Sequence, residues 1–350
     1  MTDKKTKKRT LLIFLLILLV CSCIINLTNG SVNISISEAF QIIGQKIGNL
    51  DSAELDGAKT TVLFSIRIPR ILLGLIVGGT LAVCGACLQG LFRNPLADPG
   101  LIGVSAGASL GAIIGIYFNT FFSKINTIQS SFLISILAFV FGLIISVLIF
   151  RISTKNGKPS VAKMLLCGIA ANSLVGAIIG FFTYMSSDSK LREIAMWGMG
   201  NLGEATWEKL AICFFVCVFS YFILFKQGSP LNAFVLGESE ALSLGVNTNM
   251  LKKNIVIFTA LAVAVCISFA GPIGFIGLVI PHVIRMLIGP DNKMLIPFSF
   301  LLGASLLTLA DLVSRTIAIP SEIPIGIITS IVGAPIFLYL LVKEKERIFQ

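Results

Sequence analysis

The residue types that most often carry chemistry are sparse in this chain of 350 residues. His282 is its only histidine, and no set of other ligand residues is spaced to converge on it, so we expect a packing or helix-capping role. The eight cysteines all fall inside apolar runs, which favours small buried packing residues over disulfides. The sequence contains no H-E-x-x-H, and a single histidine leaves little from which to build a hydrolytic site. We therefore predict no catalytic residue, no metal site and no enzyme activity.

A phosphate-binding loop of the G-x-x-x-x-G-K-[ST] type is also absent from the sequence. The nearest stretch, Asn156-Gly157-Lys158-Pro159, lacks the preceding glycine and has no hydroxyl after the lysine. We expect this chain to bind no cofactor and no ATP. Any energy that its function needs must come from a partner or from an ion gradient.

The composition indicates a membrane protein. Charged residues make up 13% of the chain and hydrophobic ones 55%, whereas soluble domains average about 25% charged residues. Only Gly271-Pro272 separates the seventh and eighth apolar runs, so nine or eleven spans stay open. An uncleaved first helix is favoured over a secretory signal, because nine further spans follow it. We predict an all-α membrane protein with one integral domain, residues 1–350, and ten spans at 10–28, 62–90, 96–116, 130–150, 162–185, 207–226, 254–270, 273–289, 294–313 and 323–342.

The net charge of +10 could suggest a nucleic-acid partner, but the distribution of basic residues indicates topology instead. With ten spans, 18 of the 27 lysine and arginine residues fall on the side of the N-terminus. The excess of basic residues on cytoplasmic loops then places the tail 1–9 and both termini in the cytoplasm. Long outer loops follow at 29–61 and 186–206, and one inner loop stands out at 227–253.

The stretch FRNPLADP, residues 92–99, interrupts two apolar runs with charges and prolines. Each proline lacks an N–H and restricts its predecessor, so a helix must stop and restart here, with Asp98 capping the next helix. Gly103, Gly107 and Gly111 then follow at a spacing of four, which lets a neighbouring helix approach closely. A tight turn explains most of this pattern, whereas a turn that lines a pathway also explains its polar residues.

The inner loop 227–253 is predicted to form two short helical pieces around Gly237. Leu231, Phe234 and Val235 give one apolar face, and the second piece has another with Ala241. A helix that lies on lipid is normally rich in lysine and arginine, whereas this hairpin is acidic. We therefore favour a docking element for a cytoplasmic protein.

Several blocks of the sequence resemble the FecCD-type permeases of binding-protein-dependent ABC importers. The blocks occur in family order and cover most of the chain from residue 64 onward. They are RIPRIL (67–72), GGTLAVCGACLQGLFRNPLADPGLIGVSAGASLGA (78–112), LNAFVLGESEALSLGV (231–246), AGPIGFIGLVIPHVIRMLIGPDNK (270–293) and DLVSRTIAIPSEIPIGIITSIVGAPIFLYLL (311–341).

The resemblance implies a cobalamin-importer-like permease fold in the plasma membrane. It implies a second permease copy (the same chain or a paralogue), two ATPase subunits that hold Mg-ATP, and an extracytoplasmic substrate-binding protein. The expected cargo is an iron–siderophore, with cobalamin or haem as alternatives. An ion-coupled carrier is the less favoured rival, since it needs charged residues near the bilayer midplane and only Asp311 is a candidate.

The resemblance also implies roles for individual residues. Arg67, Arg70 and Arg315 are expected to receive acidic residues of the binding protein, although pairing with Asp311 or Glu322 is the alternative. Two further expected sets are a cytoplasmic gate made of Asn94, Leu96, Ser160 and Val161, and an ATPase-coupling segment made of Leu236, Gly237, Glu238, Ala241, Leu244 and Gly245. A hydrophobic Val161 departs from the small hydroxyl residues that are common in relatives.

Overall fold

The computed structural model describes residues 2–30, 32–48, 57–125 and 130–348. The helices run α1 Thr2–Thr28, α2 Ile36–Gly48, α3 Gly57–Thr61, α4 Ile68–Phe92, α5 Val104–Ile125, α6 Ser130–Ile152, α7 Val161–Tyr184, α8 Asp188–Gly198, α9 Trp207–Leu224, α10 Gly228–Leu236, α11 Glu238–Ser243, α12 Thr248–Ala270, α13 Ile276–Ile288, α14 Asn292–Thr316 and α15 Ile325–Ile348. A π-helical segment, Val62–Arg67, leads into α4, and a 3-10 turn, Pro99–Ile102, precedes α5. Two short strands, β1 Thr154–Lys155 and β2 Lys158–Pro159, pair antiparallel.

The helices agree with the predicted spans. Within the described residues, seven helices are long and apolar enough to cross a membrane, and three shorter apolar helices complete the set at Val104–Phe118, Ile276–Ile288 and Ile325–Leu340. The Gly271-Pro272 break is real, because α12 ends at Ala270 and α13 begins only at Ile276. The predicted all-α membrane fold is therefore confirmed.

Helix α4 is the centre of the bundle. It packs against α14, α13, α12 and α9. In the segment Gly57–Phe92, which includes α4, 83% of the most apolar 18-residue stretch is buried inside the chain. Close approach depends on glycine: a Cβ at Gly85 would lie 1.8 Å from the carbonyl oxygen of Gly277 on α13. A second tight pair is formed by α5 and α6.

The two ends of the bundle carry different residues, an arginine network at one end and a helical hairpin at the other. The arginine end holds Arg70 at the start of α4 together with the end of α14. The hairpin end holds α10 and α11, where Leu231 packs over Gly90 near the end of α4.

Two segments that the sequence leaves as loops contain helices. Helix α2 begins with a reciprocal cap, in which the Ser35 N–H donates to Glu38 Oε2 at 2.7 Å and the Glu38 N–H donates to Ser35 Oγ at 3.2 Å. Lys59 pairs with the same carboxylate at 2.8 Å, and these contacts lower the pKa of Glu38 to about 2. Helix α8 lies in the other segment, after α7.

Candidate functional sites at the two ends of the bundle

Arg70 is buried at the arginine end with two carboxylates around its guanidinium. Its Nε and Nη2 atoms donate to Asp311 at 2.8–3.0 Å, and its Nη1 atom donates to Glu322 Oε1 at 3.0 Å. A second contact joins Nη2 to Glu322 Oε2 at 2.9 Å. The Asp311 side chain is 3% exposed and that of Glu322 is 46% exposed. The donors of Arg70 are therefore occupied within the chain.

The other two arginines also bond to their own chain. Arg67 donates to the carbonyl oxygens of Leu27 and Val32, near the end of α1. Arg315 donates to the main-chain and side-chain oxygens of Asn26 at 2.6 and 2.7 Å, and its Nε lies 4.0 Å from Asp311. Together the three arginines hold α1, α4 and α14 at one end.

This geometry matches the local pairing that the sequence offered as the alternative, although the best partner of Asp311 is Arg70 rather than Arg315. The role of the three arginines in receiving a binding protein stays a prediction. A third carboxylate can reach Arg70 only if one of the two present leaves, and half-exposed Glu322 is the one that can.

A cavity of about 670 Å³ opens beside this network. Its wall includes Glu322, Trp197 of α8 and the buried Lys209 of α9, which pairs with Glu204 at 3.3 Å. Burial, and then repulsion from Glu204, raise the pKa of Glu193 in the same wall. The cavity is thus an acidic, partly aromatic recess next to Arg70.

At the hairpin end, Gly237 separates α10 from α11 as the sequence predicts. Its φ of 156° lies in a region that side chains disfavour, and a Cβ there would meet the Glu240 carboxylate at 1.5 Å. The apolar faces differ in part from the expectation, because Leu231 and Phe234 point inward whereas Val235 is exposed. Ala241 is fully buried, so it can act on a partner only indirectly. The exposed apolar side chains here are Val235, Leu236, Leu242 and Leu244.

Lys252 connects the hairpin to the β1–β2 turn. The side chain is 3% exposed, and its ammonium donates to Glu238 Oε1 at 2.5 Å and to the carbonyl oxygen of Pro159 at 3.0 Å. Burial raises the pKa of Glu238, but the hydrogen bond and charge of Lys252 outweigh it and hold the pKa below its usual value. Pro159 directly precedes Ser160 and Val161. Lys252 therefore links a residue of the predicted coupling segment to the residue just before the predicted gate.

The FRNPLADP turn also contacts the hairpin. Arg93 ends α4 in a left-handed conformation, with φ of 49°, and its guanidinium lies 4.6 Å from the ring centre of Phe234. Asp98 accepts from the Gly100 N–H at 3.0 Å, which confirms the predicted cap, and its burial raises the pKa. Asn94 accepts from the Leu96 N–H at 2.9 Å, and Leu96 is 42% exposed.

Ser160 begins α7, because its hydroxyl accepts from the Lys163 N–H at 3.4 Å, and Val161 is partly buried. The structure brings α7 against the segment that follows the Asn94 turn: Gly168 packs on Leu101, and Asn172 donates to the Gly100 carbonyl at 3.2 Å. The two predicted parts of the gate thus directly precede, along the chain, the two segments that make this contact.

The glycine series on α5 faces α6. A Cβ at Gly107 would lie 2.5 Å from the Phe141 carbonyl oxygen, and one at Gly111 would lie 2.1 Å from that of Leu137. Gly103 has φ of 76° and lies against Ile149. These contacts are the close helix approach that the spacing of four predicts.

Sequence reasoning missed a convergence of cysteines. Cys213 and Cys217 on α9 meet Cys266 of α12, with all three sulfurs within 4.8 Å of one another. The spacing of four on α9 is visible in the sequence, whereas the third member comes from a helix 49 residues further on. His282 is buried in α13, in keeping with a packing role.

The chain resembles known transport proteins over nearly its whole length. It is 39% identical to the hemin transport system permease of Yersinia pestis over 98% of both chains, and 39% identical to a cobalamin import permease of Halobacterium salinarum over 82% of this chain and 74% of the other. A solved ABC transporter of metal-chelate type in an inward-facing conformation is 33% identical, with a TM-score of 0.82 over 96% of this chain and 99% of that one. The model of the FecCD transport family matches residues 16–343. The chain therefore belongs to the FecCD transport family, as a multi-pass permease subunit of an ABC importer.

Proposed function

We propose that this permease carries chelated iron, as an iron–siderophore, across the plasma membrane. The observation that supports a metal chelate is the 33% identity to a metal-chelate transporter over almost the full length of both chains. Haem is the second candidate, because the hemin permease is 39% identical over 98% of both chains, and cobalamin is the third. ATP with Mg²⁺ is hydrolysed on a separate subunit.

The path is proposed to run between two copies of the chain along α7. Only 11% of the most apolar window of this helix is buried, and a Cβ at Gly176 or Gly180 would meet no atom of the described residues within 4 Å. A small, exposed helix face suits either the wall of a path for a bulky ligand or close contact with a second copy. The described residues of one chain leave this surface uncovered.

The arginine end is proposed to face outward and to receive the binding protein. The distribution of basic residues supports this orientation, with both termini and the hairpin end in the cytoplasm. A carboxylate of the binding protein would replace Glu322 on Arg70, because Arg70 already holds two carboxylates and Glu322 is the more exposed. Glu322 also lines the adjacent cavity, so its release would loosen the wall of that cavity.

The exchange can be tested with Glu322→Gln. Removing the competing charge should tighten the docking of the purified binding protein on the permease–ATPase complex, since Arg70 then has one uncompensated side. Glu204→Gln is the matched control, because it removes a carboxylate of the same cavity that pairs with Lys209 instead. Equal affinities for both variants and the wild type would show that the arginines are structural only.

The hairpin end is proposed to seat in the ATPase. Val235, Leu236, Leu242 and Leu244 supply an exposed apolar surface, and Gly237 fixes the angle between its halves. Movement of α11 would reach Ser160 and Val161 through the bonds of Lys252 to Glu238 and Pro159. Asn94 and Leu96 would form the other constriction.

The gate can be tested by thiol labelling. Cysteines placed at 94 and 96, in a background without native cysteines, should change their labelling rate between the nucleotide-free and ATP-bound complex. A cysteine at Lys7, which is exposed near the start of α1 and lies outside both the turn and the hairpin, reports labelling unrelated to the gate. Constant labelling at 94 and 96 in every nucleotide state would contradict a gate there.

The cargo is tested by uptake into vesicles that contain the permease, its ATPase and its binding protein. A panel of iron–siderophores, haem and cobalamin should give ATP-dependent uptake only with iron–siderophores. Uptake of haem or cobalamin alone would overturn the iron proposal and keep the importer, whereas uptake without ATP would contradict the ABC mechanism itself.

A further inference from the structure

Three cysteine sulfurs converge within the membrane bundle on two helices. The Sγ atoms of Cys213 and Cys217 on α9 are 3.9 Å apart, and Cys266 on α12 brings its Sγ to 3.8 Å from that of Cys217. All three side chains are 0–1% exposed. We propose that this cluster is a binding site for a soft monovalent metal ion, Cu(I), held by three sulfurs. The site is separate from the transport path and from the cargo.

The spacing of the sulfurs suits one central ion. The third Sγ–Sγ distance is at most 4.8 Å. A point equidistant from the three sulfurs then lies about 2.2–2.5 Å from each, from the equilateral case to that upper bound, and this range includes the ~2.3 Å length of a zinc–thiolate bond. Two members on one helix face and one from a neighbouring helix give a trigonal arrangement without any movement of the backbone.

The ligand type and the surroundings select the ion. Thiolate ligands favour Cu(I) and other soft ions over Mg²⁺ or Ca²⁺, which take oxygen ligands. A closed zinc site would want a fourth ligand, and three sulfurs suffice for a trigonal ion. A buried charge is costly, so we take one sulfur, Cys217, to bind as a thiolate and the other two as neutral thiols: one proton leaves, one Cu(I) ion enters, and the net charge of the site is unchanged.

Polar hydrogens lie next to the sulfurs. The Thr80 hydroxyl of α4 is 3.4 Å from Cys217 Sγ and 2.6 Å from the Ile76 carbonyl oxygen, and the Tyr221 hydroxyl of α9 lies 2.5 Å from that of Thr80. A hydroxyl that donates to a thiolate stabilises it and orients the ligand, as outer-shell partners do in metal sites. The cluster is therefore supported from α4 as well as from its own two helices.

The cavity at the arginine end lies on the same two helices as the cluster. Lys209 and Ser268 line that cavity, on α9 and α12 respectively. Cys213 lies one helical turn after Lys209, and Cys266 lies two residues before Ser268. An ion bound by the cluster would enter from this side, between α9 and α12.

The test uses the full chain in lipid nanodiscs, with Cys21, Cys23 and Cys167 changed to alanine because these are the cysteines with exposed surface. Cu(I) is supplied anaerobically as its bathocuproine disulfonate complex. One copper ion per chain should be retained, and X-ray absorption should show sulfur-only neighbours at about 2.2–2.5 Å. Cys213→Ala, Cys217→Ala and Cys266→Ala should each lower the affinity at least about tenfold, since loss of an outer-shell partner alone costs 10–100-fold.

Cys87→Ala is the matched control, since Cys87 is a fully buried cysteine of α4 outside the three-sulfur cluster. Its copper affinity should equal that of the parent chain. Thr80→Val keeps all three ligands and should weaken binding by about tenfold, which separates ligation from any folding defect of the cysteine variants. Equal retention by the parent and by the three cluster variants, or oxygen and nitrogen neighbours around the copper, would overturn the proposal and leave three packed thiols.

Discussion

Helices α4 and α7 have similar composition and opposite surroundings. Their mean hydropathies are 2.4 and 2.1, and both carry glycines four residues apart, Gly74 and Gly78 in one and Gly176 and Gly180 in the other. Yet 83% of the most apolar 18-residue stretch of Gly57–Phe92, the segment that includes α4, is buried inside the chain, against 11% for α7. The same sequence motif thus occurs in the core and on the surface.

The glycines show what the motif does in each place. A Cβ at Gly78 would lie 2.3 Å from the Gly303 carbonyl oxygen of α14, so two backbones are already in contact. A Cβ at Gly180 would meet nothing within 4 Å in the described part of the chain. Since lipid is as apolar as the helices, burial of apolar area does not decide which helix is central, and close packing of small residues does.

The largest effect is expected from Gly85→Ala. The added methyl would lie 1.8 Å from the Gly277 carbonyl oxygen, so α4 and α13 must separate. Overpacking of this kind costs about 1–3 kcal/mol, and contact with backbone rather than a movable side chain places Gly85 near the upper end. The measurement is the unfolding free energy of the purified chain in a titration with a denaturing detergent.

Gly180→Ala is the matched control, and its unfolding free energy should equal that of the wild type or exceed it by up to about 1 kcal/mol, because alanine is the better helix former. Equal losses in the two variants would show that the contrast between α4 and α7 does not come from neighbour contacts.

A second prediction concerns the uncovered face of α7. Gly180→Leu should not lower the unfolding free energy of the single chain and should raise it by up to about 1 kcal/mol, because the described residues leave open space there and leucine is a better helix former than glycine. If a second copy covers this face, the leucine should break the dimer or block the path, and uptake should fall to background. Light scattering of the detergent-solubilised chain distinguishes a broken dimer from a blocked path, since only dissociation changes the measured mass.

Leu174→Ala supplies the control on the same helix, as Leu174 is 64% exposed and loses volume instead of gaining it. Normal dimer mass together with normal uptake for Gly180→Leu would mean that α7 faces lipid.

The comparison also shows which features can be predicted from the sequence. The ten spans, the hairpin at Gly237 and the Asp98 cap were all predictable, because each depends on local hydropathy or on local backbone chemistry. The helices α2 and α8 were treated as loops, although the Ser35–Glu38 cap was a usable signal for α2.

Contacts between distant residues could not be predicted in the same way. Arg70 meets Asp311 across 241 positions, and Arg315 meets Asn26 across 289. The sequence shows an arginine near a membrane boundary, but which carboxylate reaches it depends on how α4 and α14 pack. The three-cysteine cluster has the same origin, because Cys266 belongs to another helix.

The third prediction concerns Gly237, which neither packs against a neighbouring transmembrane helix nor faces open space. Gly237→Val should uncouple the complex, because its φ of 156° strains a β-branched residue and its Cβ would collide with Glu240. The strain costs about 1–3 kcal/mol locally, and the hairpin can relieve it by changing its angle. We expect normal binding-protein docking with loss of uptake and of stimulated ATP hydrolysis.

Ser243→Ala is the control, since Ser243 is an exposed residue within helix α11 of the same hairpin. It should keep most of the stimulated hydrolysis. Near-normal hydrolysis and uptake in Gly237→Val itself would remove the hairpin from the coupling path.

The smallest effect is expected at the ion pair between Glu238 and Lys252, where a core residue meets a surface one. Lys252 is buried like the residues of α4, whereas Glu238 is half exposed like those of α7. Because the pKa of Glu238 is lowered in the folded chain, the stabilisation is complete above the unfolded pKa, about 4.3, and is lost as the pH falls through the folded value. Solvent screening keeps the contribution below about 1 kcal/mol.

Glu238→Gln should therefore lower the unfolding free energy slightly at pH 7, and the difference from wild type should vanish below the folded pKa of Glu238. Glu240→Gln, at an exposed residue of the same helix, is the matched control for the loss of a carboxylate. Lys252→Met removes the partner of Glu238, so in its background Glu238→Gln should make no difference at any pH. The same variant should raise the labelling rate of a cysteine at position 160, because the ammonium of Lys252 also holds Pro159. A Glu238→Gln effect that does not decrease as the pH falls, or a labelling rate unchanged by Lys252→Met, would show that the buried lysine does not join the hairpin to the start of α7.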